Sequence, residues 1–179
     1  MLTIGGGKCG IVSKKEIDVG DGDTGRMNDM ATLGAFVSSF LHALDPKKRL
    51  TIPSEWRERV GSPSSLYILP GLHEEKCLYL FPARELAQRL EKFRNIGIGD
   101  KKARAFSRIF ASKSDLIPEW DTQGRIRVKD ELLDYAKLTD QVQMVGAWDH
   151  FELWNPELWK HASALDSTTM EDAVRYIGF

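Results

Sequence analysis

The sequence predicts an α+β protein: two copies of one small β unit, with flanking helices, fused in one chain. Three observations lead there. Short stretches that alternate apolar and polar residues, as half-buried strands do, recur between amphipathic helical stretches. Aligning Asp45 with Asp121, an offset of 76 residues, brings Arg49 onto Arg125, Leu50 onto Ile126, Ile52 onto Val128 and Trp56 onto Leu132. Further on, "CLYLFPAREL" from Cys77 matches "HFELWNPELW" from His150 at an offset of 73, a slip that fits a shorter loop in the second copy. One such unit has too few elements for a good core. Two units related by a pseudo-twofold axis could bury each other's apolar faces, as in a homodimer fused into one chain.

The elements follow in order. Residues 1–34 carry many glycines and charges and few large apolar side chains, and read as a flexible extension; Met27 and Met30 offer alternative starts. From Phe36, "FVSSFLHAL" is mainly apolar and extended. "RLTIP" sets Leu50 and Ile52 against Arg49 and Thr51, as a half-buried strand does. Pro53 ends it, and Ser54 is placed to cap a short helix through Val60. "SLYILPG" and "KCLYLFP" form two strands around a polar turn at Leu72 to Glu75. "ARELAQRLEKF" puts Leu86, Leu90 and Phe93 on one helical face. A second helix follows "GIGD", with Ala103, Phe106, Ile109 and Phe110 as its stripe.

The second half retraces the first. "IPEWDTQGRIRV" reads as strand, turn, strand, "KDELLDYAKL" as a short helix and "QVQMVGAWDHFELWN" as a strand pair. "PELWKHA" is a helix with Asn155 as cap and Pro156 at its first position. The tail adds a capping box of Thr168 and Glu171, with Met170, Ala173, Val174 and Ile177 as its stripe. The expected organisation is a first unit with linking helices over 35–111, a second unit over 112–166 and a C-terminal helix over 167–179.

Composition excludes several classes. The 179 residues are 42% hydrophobic and 28% charged, an ordinary globular balance. No apolar run approaches the ~20 residues of a membrane span, and the N-terminus lacks the apolar core of a secretory signal. Cys9 and Cys77 have no metal-type spacing and suggest no disulfide framework, so a reducing cytoplasm is the expected setting. The formal charge of −1 means that a nucleic-acid binder would need local basic patches. His42, His73, His150 and His161 are scattered, with no pair at a metal-helix spacing, and no nucleophile or phosphate-loop signature occurs. No cofactor and no metal is expected. An enzyme using Asp45 with a histidine would lack a placed base or nucleophile.

The ordered set "LDPKKRLTIP", "CLYLFP", "ARAFSRIFAS", "DTQGRIRV" and "FELWNPELW", with its two Asp-x-x-x-Arg motifs, resembles the MraZ family of bacterial transcriptional regulators over Phe36 to about Leu165. The resemblance implies tandem AbrB-like units whose hairpins interleave, a duplicated swapped-hairpin β-barrel. It also implies binding to short repeated sites in the promoter of the division and cell-wall gene cluster, and ring-shaped homo-oligomers. The chain departs from the family at Lys48, where a glycine usually precedes the first motif's arginine; if that position takes a positive φ, lysine there is strained. The second copy keeps Gly124 but has Lys129 where the first has Pro53. The N-terminal extension is also outside the family pattern.

In an Asp-x-x-x-Arg turn the carboxylate can accept backbone N–H bonds, so Asp45, Asp121 and Gly124 read as turn-shaping. The arginines can pair with a nearby acid or point outward as a planar fork. Residue chemistry alone favours the ion pair; the resemblance favours DNA contact by Arg49 and Arg125, with Lys47 and Lys48 adding charge suited to phosphates. The arginines could instead reach guanine edges. Gln123 could bond an adenine or be an ordinary turn residue. A second basic stretch, Arg84 to Arg108, has eight Lys or Arg and three acids; a solvated helix face explains it more simply than a DNA track. The five tryptophans read as packing or subunit contacts.

The reading is thus a cytoplasmic, nucleoid-associated regulator that binds double-stranded promoter repeats as a homo-oligomer, with no membrane partner. The alternative is a structural or protein-interaction oligomer whose motif arginines form subunit salt bridges.

Overall fold

The structure is a computed structural model that describes residues 34–61, 65–94, 99–164 and 167–178. The expected N-terminal extension lies outside these residues, as do the side chains of Phe93 and Thr168. The described part is mixed α+β with antiparallel sheets.

The first copy runs β1 (Ser39–Ala43), β2 (Arg49–Thr51), α1 (Ser54–Val60), β3 (Leu66–Pro70), β4 (Cys77–Pro82) and α2 (Ala83–Arg94). Helix α3 (Lys101–Ser112) links it to the second copy. That copy comprises β5 (Asp115–Ile117), β6 (Arg125–Arg127), α4 (Asp130–Ala136), β7 (Gln141–Ala147), β8 (His150–Trp154) and α5 (Pro156–Ala162), and α6 (Ser167–Ile177) ends the chain.

Strand pairing crosses between the copies. One sheet has the order β1-β7-β8-β4-β3-β5, and among the described residues β2 and β6 form a second, two-stranded sheet. Exchanging each strand for its counterpart in the repeat reverses the six-strand order and returns the same sheet. The stretches read as strand, turn, strand are therefore not hairpins: β1 pairs with β7 and β5 with β3. Tyr79 lies opposite Glu152, and Leu50 opposite Ile126. Each pair consists of repeat counterparts, so the pseudo-twofold axis passes through both.

The core obeys the same symmetry. Leu50, Ile52, Trp56, Leu66, Ile68, Leu78 and Leu80 are buried together with their counterparts Ile126, Val128, Leu132, Val142, Met144, Phe151 and Leu153, in one cluster. The main core is thus shared between the copies, and a smaller cluster of Leu69, Phe81 and Leu86 lies within the first. Phe36 joins this cluster against Phe151 and edge-on to Trp56, with the Arg59 guanidinium over its ring. Arg59 also reaches the buried Glu85 at 3.2 Å, tying α1 to α2. Trp154 is buried and stacks at a tilt on Trp159, and Trp120 packs on the core. Trp148 is instead 70% exposed at the β7–β8 turn.

Several local expectations need correction. Ser54 is the first residue of α1, not its cap; Pro53 holds that place with no side-chain cap bond. Its carbonyl accepts from the amides of Trp56 and Arg57. Asn155 does cap α5, accepting from the Glu157 amide at 2.9 Å and the Leu158 amide at 3.3 Å. The helical stripes are less buried than their periodicity suggests. Leu86 packs against Leu69 and Phe81, but Leu90, Phe106 and Ile109 are 46%, 42% and 57% exposed. Met170, Val174 and Ile177 on α6 are likewise exposed. Periodicity marks a face that can be buried, not what buries it.

Candidate nucleic-acid interface

The two Asp-x-x-x-Arg turns have the same bonding. Asp45 Oδ1 accepts from the amides of Lys47 (2.8 Å) and Arg49 (2.9 Å), while Arg49 Nε donates to Oδ2 at 2.7 Å. Asp121 Oδ1 accepts from the amides of Gln123 (2.9 Å) and Arg125 (3.0 Å), and Arg125 Nε donates to Oδ2 at 2.8 Å. In each turn Nη2 lies 2.7 Å from the same carboxylate oxygen. A short carboxylate is the right tool: one oxygen stops two amides, the other orients a guanidinium. Asp45 and Asp121 thus each bond two amides and the guanidinium of their own turn. Each arginine is committed along one edge to its own turn yet stays about a quarter exposed, 28% for Arg49 and 25% for Arg125.

The carboxyls respond to these donors. Chiefly the Arg125 side-chain bond, then the Arg125 amide, pushes Asp121 down to about 2. At Asp45 desolvation works the other way, but the Arg49 amide, side-chain bond and charge outweigh it, and the carboxyl lies below its ordinary range.

The turns are neighbours, because β2 and β6 pair antiparallel with Arg49 opposite Arg127 and Thr51 opposite Arg125. The Ile52 amide donates to the Gly124 carbonyl at 2.9 Å, and its counterpart, the Val128 amide, donates to Lys48 at 3.2 Å. Arg49 Nη1 also comes within 3.7 Å of Asp121. The first turn carries Lys47 at its exposed tip and a half-buried Lys48. With Pro46, Arg49, Arg127 and Asp130 these line a surface groove. The second turn presents the exposed Gln123.

Lys48 has φ +60° and its counterpart Gly124 φ +74°. The position therefore needs the left-handed conformation that glycine adopts freely, and lysine adopts it at a cost. The reverse exchange occurs at the ends of α1 and α4, where Gly61 has φ +73° and its counterpart Lys137 φ +54°. Gly124 is doubly constrained, since a Cβ there would fall 2.5 Å from the Arg57 guanidinium carbon.

Sequence reasoning missed two residues here. Arg127 stands two residues beyond Arg125 on a strand, a visible alternation, but only the β2–β6 register brings it to the first turn. Arg57 comes from α1 of the opposite copy and had no local signal. Lys129, which replaces Pro53, is held by Asp115 at 2.7 Å. The basic stretch around α2 spends part of its charge internally: Arg89 pairs with Asp149, donating from Nε at 2.9 Å, and Arg84 lies 3.6 Å from Glu85. Among the described residues no group of three His, Cys, Asp or Glu could hold a metal ion, and no helix is long and apolar enough to cross a membrane.

The family model described as "MraZ protein, putative antitoxin-like" matches residues 117–176. The transcriptional regulator MraZ of Finegoldia magna is 32% identical over 137 residues, 76% of this chain and 92% of that protein. That of Clostridium acetobutylicum is 31% identical over 145 residues, 80% and 99% of the two chains. That of Lactiplantibacillus plantarum is 35% identical over 137 residues, 76% and 94%. With two like-bonded Asp-x-x-x-Arg turns on a shared core and relatives matched over nearly their whole length, the chain belongs to the MraZ family of transcriptional regulators.

Proposed function

We propose that the chain regulates transcription by binding short repeated sites in the promoter of the division and cell-wall gene cluster, at the nucleoid in the cytoplasm. The observation that carries this is the pairing of β2 with β6, which sets two rigid Asp-x-x-x-Arg turns side by side. Lys47, Lys48, Arg49, Gln123 and Arg125 are the proposed contacts. Asp45 and Asp121 hold the guanidinium groups in fixed positions, so little entropy is lost when DNA engages them. We take 35–111 and 112–166 as two AbrB-like units closing one swapped-hairpin barrel, with 167–179 outside it; the crossed strand pairing supports that topology.

One chain offers a small contact. Several chains in a closed ring would engage several repeats, and avidity would supply the missing affinity. Exposed Leu41, Ile109, Leu116 and Trp148 favour self-association of this kind. Light scattering at micromolar protein should return a multiple of the chain mass; a monomer mass would remove the ring.

The decisive experiment is a gel shift on that promoter with wild type, Arg49→Ala, Arg125→Ala and Asp45→Ala. Wild type should retain the duplex, Arg49→Ala should weaken it, and Asp45→Ala should weaken it and melt earlier, because the turn loses its amide acceptor. Since Arg49 is itself bonded to Asp45, some loss of melting temperature is expected there too. If both arginine variants, Arg49→Ala and Arg125→Ala, bind as wild type while melting early, the arginines serve structure and the DNA site fails.

A further inference from the structure

The two ends of the β2–β6 pair are not equivalent, although the fold makes them counterparts. At one end Lys47, Lys48, Arg49 and Arg127 meet in a groove with Asp130 and Pro46. Their counterparts at the other end are Gln123, Gly124, Arg125 and Thr51, with Ser54 in place of Asp130. Four cations against one acid outside the turn thus face one cation among neutral residues. Arg57 also reaches the second end, but it is wedged beneath Gly124 with its Nε buried and without a hydrogen-bond partner.

Arg127 is the element that closes the groove. It belongs to the second copy yet lies opposite Arg49 of the first. Its side chain is 63% exposed and its ion-pair partner, Asp130 at 3.8 Å, is 68% exposed. A pair that open to water is weak, so an incoming anion can displace it. The neighbouring Lys129 is held by Asp115 and is not part of the groove.

We propose that this groove is a one-sided clamp for the backbone phosphates of duplex DNA, in which Arg127 is a further contact beside Lys47 and Lys48. The inference rests on the DNA-binding reading above and adds to it both a residue and an asymmetry. The Gln123–Arg125 end, with little charge to spend on phosphates, contributes little to the salt dependence of binding.

The test measures binding of a promoter duplex and a random-sequence duplex over a range of salt concentrations. Arg127→Ala should lower the slope of log affinity against log salt by about 0.9, the value of one phosphate contact, and weaken both duplexes alike. Lys47→Ala should do the same. Arg127→Lys should keep the slope, while Thr51→Ala should leave it unchanged. Arg127→Ala should melt as wild type, so lost binding cannot be put down to unfolding. An unchanged slope for Arg127→Ala alongside weakened binding by Arg49→Ala overturns the clamp and leaves the DNA reading standing. Equal slope losses in Arg125→Ala and Arg127→Ala overturn the asymmetry. If wild type binds neither duplex at low salt, the DNA reading falls and the clamp falls with it.

Discussion

Leu50 and Ile126 lie directly opposite each other across β2 and β6, and each is the other's counterpart in the repeat. Leu50 is fully buried and Ile126 is 1% exposed. The axis that relates the copies therefore runs through packed side chains rather than along a seam between two bodies.

Cutting either side chain back removes contacts from both copies. Leu50→Ala and Ile126→Ala should each destabilise by about 2–5 kcal/mol. The double variant should depart from additivity, because the two residues share one site. Urea unfolding should stay a single transition in every variant. Two separate transitions would contradict a common core.

Lys137→Gly should stabilise. A lysine in the left-handed region costs about 1–2 kcal/mol, and the extra freedom of glycine in the unfolded chain returns about 0.4–1 kcal/mol of that. The net gain is about 0–1.6 kcal/mol. Lys48→Gly should raise the melting temperature similarly but weaken DNA binding by removing a cation. Paired melts and binding isotherms separate the two effects. Lys48→Ala should not stabilise, since its Cβ keeps the strain.

Acid should loosen the motif turns. The Asp121 carboxyl moves from an ordinary 3.8 down to about 2 in the fold, and Asp45 moves the same way. A depressed carboxyl contributes its stability above the unfolded value and loses it as pH falls through the folded one. Stability from this source should be flat above about pH 5 and fall between about pH 4 and pH 2. In Asp121→Asn that portion of the acid slope should be missing from thermal melts.

His150 should show the opposite sign. Its Nδ1 sits 2.8 Å from Asp149 and its Nε2 3.4 Å from Glu152, with the ring stacked on Phe81. Burial works against its charge, but the bonds to Glu152 and Asp149 win and hold its titration above the ordinary 6.5. A raised histidine contributes stability that is complete below about pH 6.5 and fades as pH rises through the folded value. NMR titration of the ring should give a midpoint above 6.5, and His150→Gln should flatten the slope of stability above pH 6.5.

The repeat was legible because counterparts must face one core: Leu50 with Ile126 and Ile52 with Val128 keep their chemistry for that reason. The strain at Lys48 was legible too, since Gly124 in the other copy showed what the position requires. Strand partners were not. Alternation in "RIRV" marks a strand whatever it pairs with, so the β2–β6 register, and with it the place of Arg127, had no local signal. The Ser54 cap failed because Pro53 already fixes the helix entry through its own carbonyl. Ile109 sits on a regular apolar stripe and is still 57% exposed, because spacing describes one surface and burial needs two.

The crossed pairing has a consequence for synthesis. Ser39 in β1 finds its partner at Val145 in β7, roughly a hundred residues later in the chain. A ribosome adding about 5–20 residues per second needs roughly 5–20 seconds to cover that distance. During this interval the first strand leaves the exit tunnel with no edge to join. Any product terminated early would carry the same open edge, which is a template for pairing with other chains. Translation speed across the α2–α3 stretch, and the factors that shield nascent chains, therefore bear on how much of this protein reaches its folded state.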